Sequence, residues 1–171
     1  MGGGLMSLQR FNQLPEAQAE LLLRPCVDIA AWIAAVVVAR PFSSVDAALA
    51  VAWQAALRWQ PEEVSQALAQ HPRIGEGAKG QGQEARFSQR EQAAVNAQDA
   101  ELSEALRVGN RRYEQQFGQV FLIRAAGRDG QSILRELQRR LNNSAEQERR
   151  ETAEQLREIT MLRFKELLSD E

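Results

Sequence analysis

The stretch HPRIGEGAKGQGQEARFSQREQ, residues 71–92, is the longest interruption of helical pattern in this chain and decides how the rest is interpreted. It holds the single histidine, His71, and four glycines, and residues 71–87 show no hydrophobic periodicity. On both sides of it, apolar residues recur at the spacing of amphipathic helices. The sequence therefore predicts an all-α fold, a single-domain multi-helix bundle with this stretch as its main loop.

Four helices are predicted before the loop and three after it. Their approximate ranges are 15–24, 28–40, 43–59 and 61–70, followed by 88–116 with an interruption near 96–99, 131–141 and 144–168. Asp28 suits the N-cap of the second helix, and Ser44 precedes the third. Ser144 and Gln147 match a capping box at the start of the last helix. Residues 21–23, three leucines, are expected to pack inward.

An apolar run, VFLIRAA at residues 120–126, lies between two glycine-containing turns. Gly118 is expected to end the helix before it, and Gly127–Gly130 to lead into the next helix. The run is short and continuous, so its periodicity fits a short strand and a buried helical turn equally well. Both alternatives stay open at the level of sequence.

Length and composition indicate one ordinary globular domain. A chain of 171 residues, 44% hydrophobic and 26% charged, can bury a core without disulfides or metal. The formal net charge is −2, with basic and acidic residues interspersed. Nucleic-acid binding depends on a concentrated basic face, so nucleic acid is not expected as a partner.

Several features predict a cytoplasmic location. Cys26 is the single cysteine and is expected to be a small core residue, which suits a reducing compartment. The richest apolar run, residues 29–39, is too short to cross a bilayer, so no membrane partner is expected. Residues 1–6, MGGGLM, are expected to be a cloning remnant or a disordered N-terminus, and residues 7–171 to form the domain.

Two motif matches fail on their context. The glycines of residues 75–80, GEGAKG, match a dinucleotide fingerprint letter for letter, but no strand precedes them and no helix follows at once. The same run lacks the lysine of a phosphate-binding Walker loop. One histidine and one cysteine, distant in sequence, do not form a metal-ligand pattern, so no metal site is predicted.

Ser88 and Glu91 support two compatible interpretations. Their spacing is that of a capping box, which would give them a purely structural role. A helix start also presents free N–H groups and the positive end of the helix dipole, which suits a substrate carboxylate. Ser88 and Gln92 are four residues apart and share one helix face, so both could contact the same ligand.

His71 and Arg163 likewise have structural alternatives. A histidine next to a proline at a helix end commonly serves as a C-cap or a surface residue, but His71 lies within twenty-two residues of Glu91 and several hydrogen-bonding groups. That set is sufficient for acid–base chemistry on a small anion. Arg163 lies among apolar residues of the last helix. It is predicted either to form an ion pair that packs helices together or to bind a carboxylate with its forked guanidinium group.

A set of motifs in this order resembles one known family. The motifs are HPRIG at 71–75, S-x-x-E-Q at 88–92, G-N-x-x-Y at 109–113, F-G-x-V-F-L-I at 117–123, A-G-R at 126–128 and E-I-x-x-L-R at 158–163. The chain resembles the 2-oxo-4-hydroxy-4-carboxy-5-ureidoimidazoline (OHCU) decarboxylase family in its bacterial form, from about Phe11 to the last helix. Phe164 departs from the family's common leucine after the arginine.

The resemblance implies an all-helical bundle of the OHCU decarboxylase type, without a cofactor, that converts OHCU to (S)-allantoin in urate and purine catabolism. It implies His71 as the catalytic histidine and Glu91 as its carboxylate partner. The implied substrate-binding residues are Pro72, Ser88, Gln92, Phe121, Ile123, Ala125 and Arg163, with the 121–125 stretch contributing backbone groups. The implied partner is a small ureidoimidazoline substrate, and homodimers occur in the family.

The residues fit this chemistry on physical grounds. Decarboxylation leaves a carbanion that the C=N group of the substrate ring can accept, so neither pyridoxal phosphate nor a metal is needed. The protein must hold the carboxylate and deliver a proton to one face of the ring. Two rival hypotheses are a helical interaction module without activity and a hydrolase of a neighbouring ureide. The lack of a second histidine or metal cluster disfavours the hydrolase.

Overall fold

The computed structural model describes residues 7–70 and 100–168, and within these ranges the regular structure consists of eight α-helices and no strand. This confirms the predicted all-α class. The helices are α1 (Leu8–Gln13), α2 (Glu16–Leu23), α3 (Ala30–Val38), α4 (Val45–Ala56), α5 (Pro61–Leu68), α6 (Ala100–Phe117), α7 (Gly130–Arg140) and α8 (Ala145–Leu168). None of these helices is both long and apolar enough to cross a membrane.

Most helix starts follow the local signals in the sequence. The Ser44 hydroxyl accepts a hydrogen bond from the Ala47 N–H at 3.0 Å, which caps α4. Ser144 and Gln147 form the predicted capping box, because each side chain accepts from the other residue's N–H, at 3.1 and 2.9 Å. Asp129 caps α7 in the same way through the Ser132 N–H at 2.8 Å.

Three local predictions are wrong. Ile29, not Asp28, is the N-cap of α3, and no side chain caps this helix start. The leucines of α2 do not all pack inward: Leu23 is fully buried but Leu21 is 60% exposed, since adjacent helical positions point to different faces. Finally, α4 ends at Ala56, three residues before the predicted end.

The chain divides into two compact units, and the first comprises the described residues 7–64 and 157–168. Aromatic side chains fill its core. The ring of Phe164 lies 6.0 Å from the rings of both Phe11 and Trp32, in edge-to-face geometry. The indole N–H of Trp32 donates to the Ala52 carbonyl at 3.0 Å, which joins α3 to α4. Phenylalanine at position 164, a departure from the family pattern, therefore fits the aromatic core.

Polar side chains anchor α1 to the chain that follows α3. The Asn12 side chain donates to the Phe42 carbonyl and accepts from the Phe42 N–H, both at 2.9 Å. Arg40 donates through Nη1 to the carbonyls of Phe11 at 2.7 Å and Leu14 at 2.9 Å. The Phe11 carbonyl also accepts from the Leu14 N–H at 3.3 Å, so Arg40 adds a second donor there and pairs the Leu14 carbonyl just after the end of α1.

The second unit comprises the described residues 65–70 and 100–156, and its core forms where α6 packs against α7. A Cβ at Gly109 would lie 2.5 Å from Cδ2 of the buried Leu137, so glycine permits the close approach of these helices. The buried cluster consists of Leu102, Leu106, Tyr113, Phe121, Ile123, Ala125, Ile133 and Leu137. The 121–125 stretch is thus part of this core.

We predict that Asn12→Ala lowers the free energy of unfolding by about 1–3 kcal/mol, because both main-chain groups of the buried residue Phe42 lose their partner. Urea denaturation followed by circular dichroism measures this change. Ser7→Ala, which removes only an exposed cap of α1, serves as the control and should cost less. Equal losses for the two variants would contradict the assignment.

Candidate active site

The predicted site residues fall into three groups. His71, Pro72, Ser88, Glu91 and Gln92 lie outside the described residues, as do the loop at 71–87 and its glycine motif. Arg163 lies in the first unit, whereas Phe121, Ile123 and Ala125 lie in the second. The second and third groups are described below, each within its own unit.

Arg163 is almost completely buried on α8, with 2% of its surface exposed. One of its partners is the carbonyl of Pro25, which accepts from Nη1 at 3.1 Å. Pro25 lies in the turn that follows α2, so a main-chain oxygen fixes one edge of the guanidinium group. The Pro25 carbonyl is neither of the two partners that the sequence suggested, and Arg163 has further interactions besides it.

Cys26, next to Pro25, is fully buried and free. This confirms the prediction of a small core residue. Burial raises the pKa of its thiol to about 12, against the opposing effect of the positive charge on Arg163. The thiol is therefore neutral near pH 7, and it does not neutralise the arginine.

Residues 120–125 form neither a strand nor a helical turn, so both alternatives from the sequence are wrong. The Ala125 carbonyl accepts from the Arg128 N–H at 3.0 Å, and side chains provide further hydrogen bonds of this segment. The Leu122 carbonyl accepts from Nη1 of Arg140 at 2.8 Å, and the Arg124 N–H donates to Oε1 of Gln155 at 2.8 Å. Such tethers hold an irregular buried segment that could not otherwise satisfy its polar groups.

Positive-φ glycines mark the two ends of this segment. Gly118, with φ of 70°, ends α6 as predicted, and its N–H donates to the Glu114 carbonyl at 2.8 Å. Gly127, with φ of 80°, turns the chain towards α7. Within the described ranges, neither main-chain polar group of Ile123 makes a hydrogen bond, although the residue is only 5% exposed.

A buried ion pair between Arg140 and Glu148 lies behind the segment. Each side chain is 1% exposed, and Nε of Arg140 donates to Oε2 of Glu148 at 2.9 Å while Nη2 donates to the same oxygen. The guanidinium carbon lies 4.6 Å from the centre of the Phe121 ring. Arg140 therefore contacts the segment twice, through the Phe121 ring and through the Leu122 carbonyl.

Neutral side chains surround the Glu148 carboxylate. The Tyr113 hydroxyl donates to Oε2, and Nδ2 of Asn143 donates to Oε1 at 3.0 Å. Thr152 donates to Oε2 at 3.3 Å and accepts from Nε2 of Gln119 at 3.1 Å. Both carboxylate oxygens thus have partners, which is the condition under which a buried ion pair is tolerated.

The sequence interpretation did not single out Arg140 or Glu148. The available signal was a charge at a position where helical periodicity expects an apolar residue. Arg140 continues the buried stripe of Ile133 and Leu137 on α7, and Glu148 lies one turn before the buried Thr152 on α8. Charged residues at such positions are almost never buried without a partner, so the pair was detectable in principle.

A cavity of about 560 Å³ lies in the second unit. Leu68 and Ala69, which line it, come three and two residues before His71 in the chain. Gln119 and Val120, which also line it, come directly before Phe121. Residues that line one cavity are therefore close in sequence to two of the stretches that carry predicted site residues. No group of three or more His, Cys, Asp or Glu side chains in residues 7–70 and 100–168 is arranged to hold a metal ion.

We predict that Tyr113 ionises far above the usual range, because burial and the hydrogen bond to Glu148 raise its pKa from 10.0 to about 12. It is the single tyrosine, so tyrosinate absorbance during an alkaline titration reports on it alone. Since the folded pKa exceeds the unfolded one, its stabilising contribution is complete below pH 10.0 and is lost as the pH rises towards 12. A native midpoint near that of the urea-unfolded chain would contradict this prediction.

Comparison with known proteins gives one family and consistent relatives. The OHCU decarboxylase family model matches residues 12–165. A uric acid degradation bifunctional protein of Bacillus sp. (strain TB-90) is 25% identical over 169 residues, which are 97% of this chain and 33% of that protein. The chain therefore spans about a third of the length of this relative.

Two solved structures share the fold. A crystal structure of an OHCU decarboxylase, determined in the presence of (S)-allantoin, matches with a TM-score of 0.72 and 24% identity, covering 85% of this chain and 95% of that one. A crystal structure of an (S)-allantoin synthase matches with a TM-score of 0.67 and 18% identity, covering 93% of this chain and 52% of that one. Together with the family match across residues 12–165, these likenesses confirm the resemblance in the sequence motifs: the chain belongs to the OHCU decarboxylase family.

Proposed function

We propose that this protein is a carboxy-lyase that removes CO₂ from OHCU and releases (S)-allantoin in urate catabolism. The family match over residues 12–165 carries the proposal. Two similar proteins support it, a uric acid degradation bifunctional protein and an OHCU decarboxylase whose crystal structure was determined in the presence of (S)-allantoin. The match runs through both compact units, which supports residues 7–171 as one functional domain.

The proposed reaction breaks the bond between C4 of the substrate ring and its carboxylate. The electron pair left on C4 moves into the adjacent C=N group, and CO₂ departs. A proton added to C5 from one face, together with transfer of the 4-hydroxyl proton to the ring nitrogen as C4 becomes a carbonyl, then gives a single enantiomer of allantoin. The protein needs to hold the carboxylate out of the ring plane and to supply the proton on one side.

We assign the proton chemistry to His71 and Glu91 by the family motifs. Glu91 would orient the imidazole and His71 would bond the 4-hydroxyl group, which typically contributes about 10²–10⁴ in rate. Ser88, Gln92 and Pro72 would hold the ureidoimidazoline. These roles rest on the matching motifs at 71–75 and 88–92, since these residues lie outside the described part of the chain.

Arg163 is assigned to the substrate carboxylate or a ring oxygen. Its burial supports this role, because a guanidinium group shielded from water binds an anion more strongly than an exposed one does. The Pro25 carbonyl satisfies one edge of the group without cancelling its positive charge. The adjacent Cys26 thiol, neutral near pH 7, does not cancel it either.

The 121–125 segment is assigned to the remaining wall of the site. Phe121, Ile123 and Ala125 are buried, and the Ile123 main chain has no hydrogen-bond partner among residues 7–70 and 100–168. Buried main-chain groups are almost always paired in native proteins. A substrate amide or ureido group, which carries both donors and acceptors, would complete this pairing.

Three further predictions accompany the proposed function. The enzyme is expected to work without a cofactor, since the substrate ring accepts the electron pair. It is expected in the cytoplasm, where the family's metabolic role and the single buried cysteine fit. A homodimer, an assembly that occurs in the family, is the expected assembly state.

We expect the protein to convert freshly generated OHCU to (S)-allantoin faster than the spontaneous reaction, in the presence of a chelator. Circular dichroism of the product follows both the rate and the handedness. His71→Asn and Glu91→Gln should lose about 10²-fold or more in kcat while keeping their helical spectra. The control Arg107→Lys alters an exposed ion pair with Glu104 and should retain full activity.

Two outcomes of this experiment test the decarboxylase activity and the proposed mechanism separately. Racemic product at the spontaneous rate would refute the decarboxylase assignment and favour a helical interaction module. Full activity of His71→Asn would be compatible with the decarboxylase assignment but would refute the proposed role of His71 in proton transfer.

We predict that Arg163→Lys raises KM for OHCU by about tenfold or more, because a lysine cannot bind the Pro25 carbonyl and a carboxylate with the same planar fork. The control Arg157→Lys makes the same change on the same helix, at a side chain that stacks on Trp53. Equal KM values for both variants and the wild type would contradict the role of Arg163.

A further inference from the structure

We propose that Arg140 is a positioning residue for substrate binding, acting through the Leu122 carbonyl on the 121–125 segment. The proposal rests on the function proposed above. It assigns a functional role to the buried ion pair, which neither the sequence motifs nor the chemistry of the reaction had required.

The first argument is the conformation of the segment. Residues 120–125 have no regular secondary structure, so no repeating backbone pattern holds Ile123 in place. Tethers to side chains lie on either side of it, from Arg140 to the Leu122 carbonyl and from Gln155 to the Arg124 N–H, both 2.8 Å long. These two bonds restrict the peptide groups that flank Ile123. The orientation of the Ile123 main-chain groups therefore depends on Arg140 and Gln155.

The second argument is the geometry of the guanidinium group. Arg140 uses Nε and Nη2 on Glu148 and retains Nη1 for the Leu122 carbonyl. Its planar face lies over the Phe121 ring, with the guanidinium carbon 4.6 Å from the ring centre. A lysine ammonium could pair with Glu148 but has no rigid fork to reach the carboxylate and the carbonyl together.

Neutral side chains also fix the Glu148 end of the ion pair. Tyr113 and Asn143 donate to the Glu148 carboxylate, and each of its oxygens has a partner. Burial and the bond to Glu148 keep Tyr113 protonated, with its pKa raised to about 12, so the donor persists at any physiological pH.

A purely structural role makes a different prediction. If the pair only stabilised the fold, Arg140→Lys would reduce the fraction of folded protein, and kcat per total protein would fall with KM unchanged. If Arg140 positions the segment, the folded variant would bind substrate and product more weakly. KM for OHCU and Kd for (S)-allantoin would then rise together, with kcat per binding site nearly constant.

The test compares Arg140→Lys with Arg139→Lys. Arg139 is the preceding residue, and its half-exposed side chain binds Glu136 and Glu151 at 2.9 and 2.7 Å rather than the segment. Calorimetric titration with (S)-allantoin gives the binding stoichiometry and Kd separately, and steady-state kinetics give KM and kcat. We expect about a tenfold rise in Kd and KM for Arg140→Lys and less than twofold for Arg139→Lys.

Changes at Gln155 test the same idea without disturbing a buried charge, should Arg140→Lys fail to fold. Gln155→Ala removes the acceptor of the Arg124 N–H and should raise Kd several-fold, whereas Gln155→Glu keeps an acceptor oxygen and should recover most of the affinity. Wild-type Kd in Gln155→Ala and in any folded Arg140→Lys would overturn the proposal. Wild-type protein that neither binds (S)-allantoin nor accelerates decarboxylation would instead overturn the proposed function.

Discussion

The buried ion pair of Arg140 and Glu148 is the interaction on which the second unit depends. Removing two charges from water costs several kcal/mol per ion, and their attraction offsets this only when every remaining donor and acceptor is satisfied. Tyr113 from α6, Asn143 before α8 and the Leu122 carbonyl provide those partners. One carboxylate and one guanidinium group therefore connect three helices to the irregular segment that follows α6.

Apolar packing of aromatic side chains stabilises the first unit. Phe164 lies against Phe11 and Trp32, and its neighbour on α8, Arg163, reaches the Pro25 carbonyl. The aromatic ring holds the helix face in place, so the adjacent guanidinium group is buried at a defined position rather than extended into solvent. The proposed role of Arg163 in binding an anionic substrate depends on such a fixed position, because groups that are already oriented stabilise charge without reorganisation.

Both arrangements suit a reaction whose electron sink is the substrate itself. Such an enzyme gains its rate from orientation and from placing a proton, and its site must be rigid rather than chemically elaborate. Irregular backbone fixed by buried side chains would provide that rigidity, and the proposed function assigns the Ile123 main-chain groups to the ligand because they have no partner among residues 7–70 and 100–168. A regular strand or helix at residues 120–125 would have used those groups for its own hydrogen bonds.

The sequence by itself determined the all-α class, the capping box of Ser144 and Gln147, the helix stop at Gly118 and the family, because these depend on local spacing and on motif residues. The assignment of the chemistry to His71 and Glu91 also comes from the sequence, and it stays a prediction because both residues lie outside the described part of the chain. Only the tertiary structure decided the conformation of residues 120–125, because its hydrogen-bond partners, Arg140 and Gln155, are 18 and 31 residues away from the groups they bind. The same holds for the Pro25 carbonyl on Arg163, since contacts between distant parts of the chain leave no periodicity in the sequence.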